Sequence, residues 1–224
     1  YSGVVIDEHW GLEACREGCN YKPYLLPLER SGYVEDGEER ITELEYEVVD
    51  LMKLGASGAK ILFYFNPNVK SSKKQLETAK KLVDECEYKN YPLFLEIVTY
   101  NIENLSVHPR GGGMNLVGES VKMFIESEAV PDVWKLEYPG SPKACEDVTK
   151  LVGETPWILL TGGETYDQFK PKLEEAINGG ASGFLAGRAI WQEACNLEGE
   201  EKEKFLKETL KERFKEISEI ASKS

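Results

Sequence analysis

The sequence lacks the features that mark several functional classes. Basic residues are in the minority, with 27 Lys and Arg against 40 Asp and Glu in 224 residues, so the formal net charge is −13. A strongly acidic chain argues against nucleic acid or an anionic membrane surface as a partner. No apolar run approaches the roughly 20 residues of a membrane span, and no signal-peptide pattern opens the chain. We therefore expect neither nucleic-acid nor membrane partners.

Motifs of common enzyme classes are missing as well. The chain contains no G-x-S-x-G, P-loop or H-E-x-x-H pattern, and no glycine fingerprint of a dinucleotide-binding sheet follows the first strand. Cys15 and Cys19, near His9, are one pair without further ligands, so we interpret them as plain thiols rather than a metal site. The five cysteines are an odd, scattered set. Such a set is typical of reduced thiols and predicts a cytoplasmic location.

What the chain does contain is a regular alternation of apolar strands with amphipathic helices. Seven strands are predicted, at residues 2–8, 24–29, 59–65, 92–100, 133–139, 156–160 and 182–186. Fully apolar strands separated by helices are typical of a parallel sheet covered on both faces. Nearly every strand ends in or contains a polar residue, as in barrels that carry functional groups at the carboxyl ends of strands. We therefore predict a (β/α)₈ TIM barrel rather than an open doubly wound sheet.

The connections and the ends of the chain complete this prediction. Residues 9–22 and 30–40 are predicted as polar connections, and a helix is predicted from Ile41 to a stop at Gly55. A charged helix is predicted at about 200–222. We expect one barrel domain over residues 1–224. Because the chain opens at Tyr1 almost directly in a strand, we expect it to be incomplete at the N-terminus, with the first β/α unit missing.

Three predicted strands carry charged residues inside apolar runs. Lys135 and Glu137 are two apart in one strand and therefore share a face, while Trp134 points the other way. Lys60 and Glu96 occupy comparable positions in two other strands. Buried charges are costly unless they are paired or used. The pattern leaves two interpretations open, structural ion pairs or a reactive lysine.

The second interpretation has a definite chemistry. A lysine that is desolvated and close to another cation has a lowered pKa, so more of it is free amine at neutral pH. The free amine attacks carbonyls to form a Schiff base, which acts as an electron sink for cleavage of a carbon–carbon bond. A carboxylate such as Glu96 could transfer the protons that this sequence of steps requires.

Glycine-rich turns after the last two strands add a second signal. They are Thr161-Gly162-Gly163 and Gly187-Arg188. Many barrels bind phosphate at this place through backbone N–H groups of glycine turns, and Arg188 could add a fork-shaped donor. Ordinary tight turns are the alternative. The polar loop 101–113, with His108 and Arg110, is either a cover over the site or an ordinary exposed loop.

Together these segments resemble the class I tagatose 1,6-bisphosphate aldolases and the related sulfofructose-phosphate aldolases. The matching segments run in order along almost the whole chain, at residues 3–7, 58–64, 92–100, 133–139, 156–163 and 180–191. The resemblance implies a (β/α)₈ barrel and a metal-independent aldolase that needs no cofactor. It also implies that a ketose phosphate is cleaved to dihydroxyacetone phosphate and a three-carbon aldehyde.

The resemblance also implies roles for individual residues. The Schiff-base lysine of the family falls on Lys135 and its proton-shuttling glutamate on Glu96, and Lys60 matches a lysine near the Schiff base. The implied substrate-binding and phosphate-binding residues are Asp7, Thr161, Gly162, Gly163, Gly187 and Arg188. The role of Glu137 is left open, with a structural partner of the lysine and a second catalyst as the alternatives.

Some expectations stay open at this point. The family has a further first strand with a motif like Asp-Gln-Arg, which nothing here matches. The expected partner is a small-molecule sugar phosphate, and a homo-oligomer remains an open alternative. Two other functions are left, a sugar-phosphate isomerase or epimerase without covalent catalysis, and a non-catalytic phosphate-binding barrel.

Overall fold

A computed structural model of the chain describes residues 2–18, 22–102 and 116–223. Contacts between residues group the chain into two units, Tyr1–Trp134 and Lys135–Ser224. The expected single domain over residues 1–224 stays a prediction. In the described part of the chain, no helix is both long and apolar enough to cross a membrane.

The first unit is a parallel sheet with helices and a small hairpin. Its strands are β1 (Val4–Val5), β2 (Tyr24–Pro27), β3 (Val34–Asp36), β4 (Glu39–Ile41), β5 (Gly58–Phe65), β6 (Leu93–Thr99) and the start of β7 (Val133–Leu136). Its helices are α1 (Gly11–Gly18), α2 (Val48–Lys53), α3 (Ser71–Tyr88) and α4 (Leu116–Glu126). The sheet order is β1-β2-β5-β6-β7. The pairs β1–β2, β2–β5 and β5–β6 are parallel, as the apolar strands predict.

Strands β5 and β6 form the best-defined part of this sheet. They are in register from Ala59 opposite Leu93 to Phe65 opposite Thr99. Alternate residues of both strands are completely buried, and on β5 these include Ile61 and Phe63 at no more than 1% exposure. Phe63 and Phe65 pack against Phe124 of α4. The side chain of Lys60 lies on the other face of the sheet, together with those of the residues opposite it on β2 and β6, as the strand alternation predicts.

Three segments of the first unit differ from their prediction. Residues 30–40 were predicted as a loop, but they contain strands of an antiparallel hairpin in which Val34 pairs with Ile41. The helix predicted from Ile41 begins only at Val48, after the capping box of Glu47 and Asp50. The helical spacing of Ile41 with later apolar residues was misleading, because Ile41 belongs to β4. The predicted polar connection 9–22 contains α1, which buries Leu12 and Cys15.

The second unit begins inside β7 and continues with two further strands. It contains β8 (Trp157–Leu160), β9 (Gly183–Leu185) and the helices α5 (Pro142–Val152), α6 (Tyr166–Asn178), α7 (Arg188–Trp191), α8 (Gly199–Lys204) and α9 (Leu210–Ala221). The sheet order is β7-β8-β9, and β8 and β9 are parallel. A 3₁₀ segment, Gln192–Asn196, follows α7. A π-helical segment, Phe205–Thr209, joins α8 to α9, where the sequence predicts one helix.

Local signals explain where the helices of this unit begin. Ser141 caps α5, because its side chain accepts the Ala144 N–H, and Pro142 occupies the first helical position. Thr165 forms a capping box at the start of α6. Gly179 ends α6 against Cys145 of α5, in a space that leaves no room for a Cβ atom. The two helices therefore pack closely. Helix α9 also packs against α6.

Candidate active site

Lys60 is the centre of a buried ionic cluster in the first unit. Its Nζ donates to Oε1 of Glu29 and lies 2.8 Å from Oε2 of Glu96. The three side chains are only 10%, 9% and 8% exposed. The second carboxylate oxygen of Glu29 accepts the N–H of Leu62 at 3.2 Å. We call Glu29, Lys60 and Glu96 the ionic cluster.

Three neighbouring strands position this cluster. Lys60 pairs with Pro27 of β2 on one side and with Phe94 of β6 on the other. Glu96 lies opposite Leu62, two residues along from Lys60, and in-register residues of parallel strands share a face. Glu29 follows the end of β2, where the Leu28 N–H donates to the Lys60 carbonyl at 2.8 Å. The strand register therefore brings all three side chains together.

The charges of the cluster decide its protonation. Burial on its own lowers the pKa of Lys60, but the negative charges of Glu29 and then Glu96 outweigh burial and raise that pKa above its usual value. Burial raises the pKa of Glu29 above its ordinary 4.5, against the opposing effect of Lys60. One cation between two carboxylates leaves a formal charge of −1 when all three groups are ionised. Lys60 is therefore held as an ammonium ion.

The structure agrees with one part of the sequence interpretation of these residues and differs from another. Lys60 and Glu96 do come together, in the ion pair that was left open as one of two interpretations. The lowered pKa expected for a reactive lysine does not apply to Lys60, because its nearest charges are negative. Sequence reasoning missed Glu29 as a member of the cluster. Its position as a polar residue directly after an apolar strand was the available signal.

Lys135 lies in the middle of β7 and opens the second unit. It is 7% exposed, and Trp134 and Leu136 beside it are completely buried. Trp134 meets the ring of Phe124 edge-on, with the ring centroids 6.2 Å apart. Beyond the strand, the Tyr138 hydroxyl donates to Glu175 of α6. Trp134 and Tyr138 thus face helices, as the strand alternation predicts, and Lys135 lies on the opposite face.

The two glycine turns of the second unit lie next to each other. Gly162 and Gly163 have φ angles of 59° and 78°, and the Glu164 N–H donates to the Thr161 carbonyl at 3.0 Å. These are features of a type I′ turn, which favours glycine at both central positions. A Cβ atom on Gly163 would lie 3.4 Å from Nη2 of Arg188. The guanidinium therefore lies directly over the turn.

The surroundings of these turns are open. Arg188 is exposed, and a Cβ atom on Gly187 would meet no atom within 4 Å. Gly162 and Gly163 are exposed too, and Thr161 is half-buried. The five predicted phosphate-binding residues, 161–163 and 187–188, are thus grouped at the ends of β8 and β9. Backbone and guanidinium donors are concentrated there.

The remaining candidate residues are placed as follows. Asp7 is exposed, and its carboxylate accepts the N–H of Trp10 at 2.7 Å, so it organises the turn that leads into α1. Substrate binding by Asp7 stays a prediction. Residues 103–113, including His108 and Arg110, lie outside the described residues, as does Cys19. Within the described ranges, no group of three His, Cys, Asp or Glu residues could hold a metal ion.

A separate surface cleft is present in the first unit. It has a volume of about 210 Å³ and is lined by Arg30, Ser31, Gly32, Tyr33, Val34 and Glu43. None of these residues was predicted as a site residue. The cleft lies beside the β3–β4 hairpin and is distinct from the ionic cluster.

Comparison with known proteins connects these features to one family. A model of the DeoC/LacD aldolase family matches residues 2–193. The tagatose 1,6-diphosphate aldolase of Staphylococcus epidermidis is 27% identical over 255 residues, which cover 98% of this chain and 76% of the relative. The enzyme of the same name from Staphylococcus aureus is 26% identical over the same length.

Solved structures show the fold. An archaeal fructose-1,6-bisphosphate aldolase, with its catalytic lysine bound to the carbinolamine intermediate, matches 99% of this chain and 78% of its own length, with a TM-score of 0.73 and 20% identity. A Schiff-base-forming fructose-1,6-bisphosphate aldolase matches 94% of this chain and 93% of its own length, with a TM-score of 0.67 and 18% identity. These likenesses confirm the predicted α/β barrel class.

The family model covers most of the chain, and the two solved aldolases share its fold over more than nine-tenths of its length. The predicted relationship to an aldolase family is therefore confirmed at the level of the family. The chain belongs to the DeoC/LacD family of aldolases, which are carbon–carbon lyases.

Proposed function

We propose that the chain is a class I aldolase that cleaves a ketose phosphate through a Schiff base on Lys135. The observation that carries the proposal is a lysine buried at the middle of β7 in a member of an aldolase family. The substrate class proposed is a ketose phosphate such as tagatose 1,6-bisphosphate, after the relatives of that name. The products are dihydroxyacetone phosphate and a three-carbon aldehyde.

The proposed chemistry follows from an amine at this position. Nζ of Lys135 adds to the C2 carbonyl of the ketose, and loss of water gives an iminium ion. A base removes the proton of the C4 hydroxyl, the C3–C4 bond breaks, and its electron pair moves into the iminium group to form an enamine. Protonation of C3 and hydrolysis then release dihydroxyacetone phosphate and the free amine.

The ionic cluster separates the roles of the two strand lysines. Lys60 is bonded to two carboxylates that raise its pKa, so it is a poor source of free amine. We therefore assign the nucleophile to Lys135 and a fixed positive charge to Lys60. Glu96 is the proposed proton carrier, as the family resemblance implies. Its contact with the Lys60 ammonium fixes the position of one of its carboxylate oxygens.

The glycine turns support a phosphate-bearing substrate. Gly162 and Gly163 are exposed, and Gly187 is half-buried with no atom within 4 Å of an added Cβ position. Arg188 lies over the first turn in the same unit as Lys135. Glycine turns let backbone N–H groups approach a phosphate closely, and an arginine adds bidentate donors. We assign the phosphate of the dihydroxyacetone half to these residues.

Borohydride trapping tests the proposal. Reduction in the presence of dihydroxyacetone phosphate should attach a three-carbon phosphate adduct to Lys135, located by peptide mass spectrometry. Lys135→Met should abolish both the adduct and cleavage, whereas Lys150→Met, which changes an exposed lysine of the same unit, should leave both unchanged. If Lys135→Met instead isomerises or epimerises a ketose phosphate as well as the wild type does, the proposal is replaced by non-covalent isomerase or epimerase catalysis.

A comparison of two compounds tests the substrate assignment. Tagatose 1,6-bisphosphate and a sulfofructose phosphate share the keto and phosphate end and differ at the far end. A kcat/KM that is higher for the bisphosphate supports the tagatose assignment, and the reverse order supports the sulfofructose alternative. A chain that binds either compound and forms no product would be the non-catalytic phosphate-binding barrel.

A further inference from the structure

Arg40, on the β3–β4 hairpin, lies between two tyrosine rings. Its guanidinium carbon is 4.7 Å from the ring centroid of Tyr33 and 5.1 Å from that of Tyr100. Tyr33 in turn meets Tyr64 at the end of β5 edge-on, at 4.7 Å. Tyr100 follows the end of β6. The arginine thus contacts one ring directly before β3 and one ring at the carboxyl end of β6.

The hairpin that carries Arg40 is fixed at several points. The Arg40 N–H donates to the Tyr100 hydroxyl at 3.0 Å. The Glu39 carboxylate accepts the N–H groups of Lys70 and Ser71 at the start of α3, at 3.3 and 2.7 Å. The side-chain amide of Gln75 joins the hairpin to β5, because it donates to the carbonyls of Arg40 and Tyr64 and accepts the Thr42 N–H. The position of Arg40 is therefore set before any ligand binds.

The guanidinium of Arg40 has no carboxylate partner in the described part of the chain. It makes no hydrogen bond or ion pair there, although Glu38 and Glu39 precede it directly. Arg30 of the same unit, by contrast, forms an ordinary surface ion pair with Glu43 at 3.7 Å. The chain has a net charge of −13, so carboxylates that could pair with a half-buried arginine are plentiful. The lack of an ion pair between Arg40 and a described carboxylate is therefore unusual.

A cation over the face of an aromatic ring is held by the ring quadrupole and not by a hydrogen bond. The five N–H donors of a guanidinium lie in the plane of the group, and they match the spacing of two oxygens of a phosphate. Cation–π contacts to both rings stabilise the charge without using these donors. We propose that Arg40, held between Tyr33 and Tyr100, is a binding site for a phosphate-type oxyanion.

The oxyanion could come from two sources, free phosphate or the far phosphate of a ketose bisphosphate. The second assignment rests on the proposed function, whereas binding of the oxyanion itself does not. Equilibrium dialysis with radiolabelled inorganic phosphate counts the equivalents that the full chain binds. Arg40→Met keeps an extended apolar side chain between the rings and removes the donors, so it should lose one equivalent.

Two controls keep the result interpretable. Arg30→Met removes an exposed arginine of the same hairpin region and should lose no phosphate. Arg40→Lys restores the charge without the planar fork and should bind phosphate on the order of tenfold more weakly than the wild type. Full phosphate binding by Arg40→Met overturns the inference, and so does an equal loss in Arg30→Met. If Arg40→Met unfolds, retained wild-type binding by Arg40→Lys overturns it instead.

Kinetics separate the two sources. If the site holds the far phosphate of the substrate, Arg40→Met lowers kcat/KM on the order of thirtyfold for a ketose 1,6-bisphosphate and leaves a ketose 1-phosphate unaffected. If the site holds free phosphate, one equivalent is lost and both substrates keep their kcat/KM. If Arg188→Met binds as many equivalents of phosphate as the wild type, this result contradicts the phosphate site of the proposed function. The inference about Arg40 would still stand.

Discussion

Lys60 carries one positive charge between the carboxylates of Glu29 and Glu96, and all three side chains are about nine-tenths buried. Taking such groups out of water is costly, and their mutual attraction offsets this cost only while every partner is present. Replacing the lysine would leave two carboxylates buried next to each other. The cluster is therefore more sensitive to the loss of one member than a surface ion pair is.

Lys60→Met should lower the free energy of unfolding at neutral pH by about 3–5 kcal/mol, the range for breaking a buried pair. Urea unfolding monitored by circular dichroism measures this loss. Lys53→Met breaks the exposed ion pair with Asp50 and should change the free energy of unfolding far less, because solvent screens an exposed pair. Equal losses for the two variants would show that the cluster is not desolvated in solution.

Glu29→Gln should change how stability depends on pH. Because burial raises the pKa of Glu29 above 4.5, the folded chain keeps a proton at pH values where the unfolded chain has released it. The stability that this proton contributes is complete below pH 4.5 and is lost as the pH rises through the folded-state pKa. The stability of the wild type relative to Glu29→Gln should therefore fall as the pH rises from about 4.5 towards neutrality.

Urea unfolding at a series of pH values measures this difference. Glu77→Gln, at an exposed position of α3, is the matched control. Its free energy of unfolding should depend on pH in the same way as that of the wild type. A wild-type advantage over Glu29→Gln that grows with pH would mean that Lys60 lowers the pKa of Glu29 more than burial raises it.

The residues of the cluster could be foreseen only in part from the sequence. Lys60 and Glu96 stand out as charges inside apolar strands. Glu29 is the last residue of the predicted strand 24–29 but lies beyond the end of β2 in the structure, so the strand alternation does not fix its face. Its role depends on the register between β2 and β5, and that register is a property of the sheet rather than of either strand alone.

Helix packing in the second unit depends on one glycine. Gly179 has an ordinary φ of −84°, but a Cβ atom there would overlap Cys145 of α5. Gly179→Ala should therefore lower the free energy of unfolding by about 1–3 kcal/mol through overpacking, without backbone strain. Gly187 has a negative φ of −123° and open space around its Cα. Gly187→Ala is the matched control and should stay within about 0.5 kcal/mol of the wild type.

Urea unfolding compares the two variants directly. A loss for Gly179→Ala no larger than that for Gly187→Ala would mean that α5 and α6 can move apart at little cost. The activity of Gly187→Ala carries separate information. If a phosphate approaches this turn as proposed, its KM for a ketose phosphate rises while its stability stays unchanged.

Elements with a long, uniform pattern could be predicted, and short ones could not. Strand β5 has one uniform period, and it lies where the sequence predicts it. The hairpin of β3 and β4 has three residues in each strand, and all three residues of β3 are exposed. Its stability comes from contacts to Gln75 and Tyr100, which lie more than 30 residues away and leave no local signal.

The net charge of −13 acts on the whole molecule. Excess negative charge destabilises the folded chain through long-range repulsion, and salt screens that repulsion. Raising NaCl from about 10 mM to about 200 mM at neutral pH should increase Tm by about 2–4 °C. Calorimetry measures the shift. Near the isoelectric point of about 4.8 the shift should vanish, and an equal rise at both pH values would point to general salting-out instead.

Family membership is also a property of the whole chain. Identity to the staphylococcal aldolases is about a quarter, which is consistent with residues chosen for packing having changed more than the arrangement of strands. The barrel class was predictable because it depends on the order of elements. Substrate preference was not, because it depends on a few polar groups that contacts between distant parts of the chain bring into place.

The thiols of the molecule decide how it can be tagged. Burial raises the pKa of Cys86 and of Cys145 to about 12, so at neutral pH these two groups hardly form the thiolate that alkylating reagents require. Cys195 is exposed, beyond α7. A maleimide dye should therefore react faster at Cys195 than at either buried thiol. A fluorophore placed there would report on the segment after Arg188 while the protein core stays unmodified.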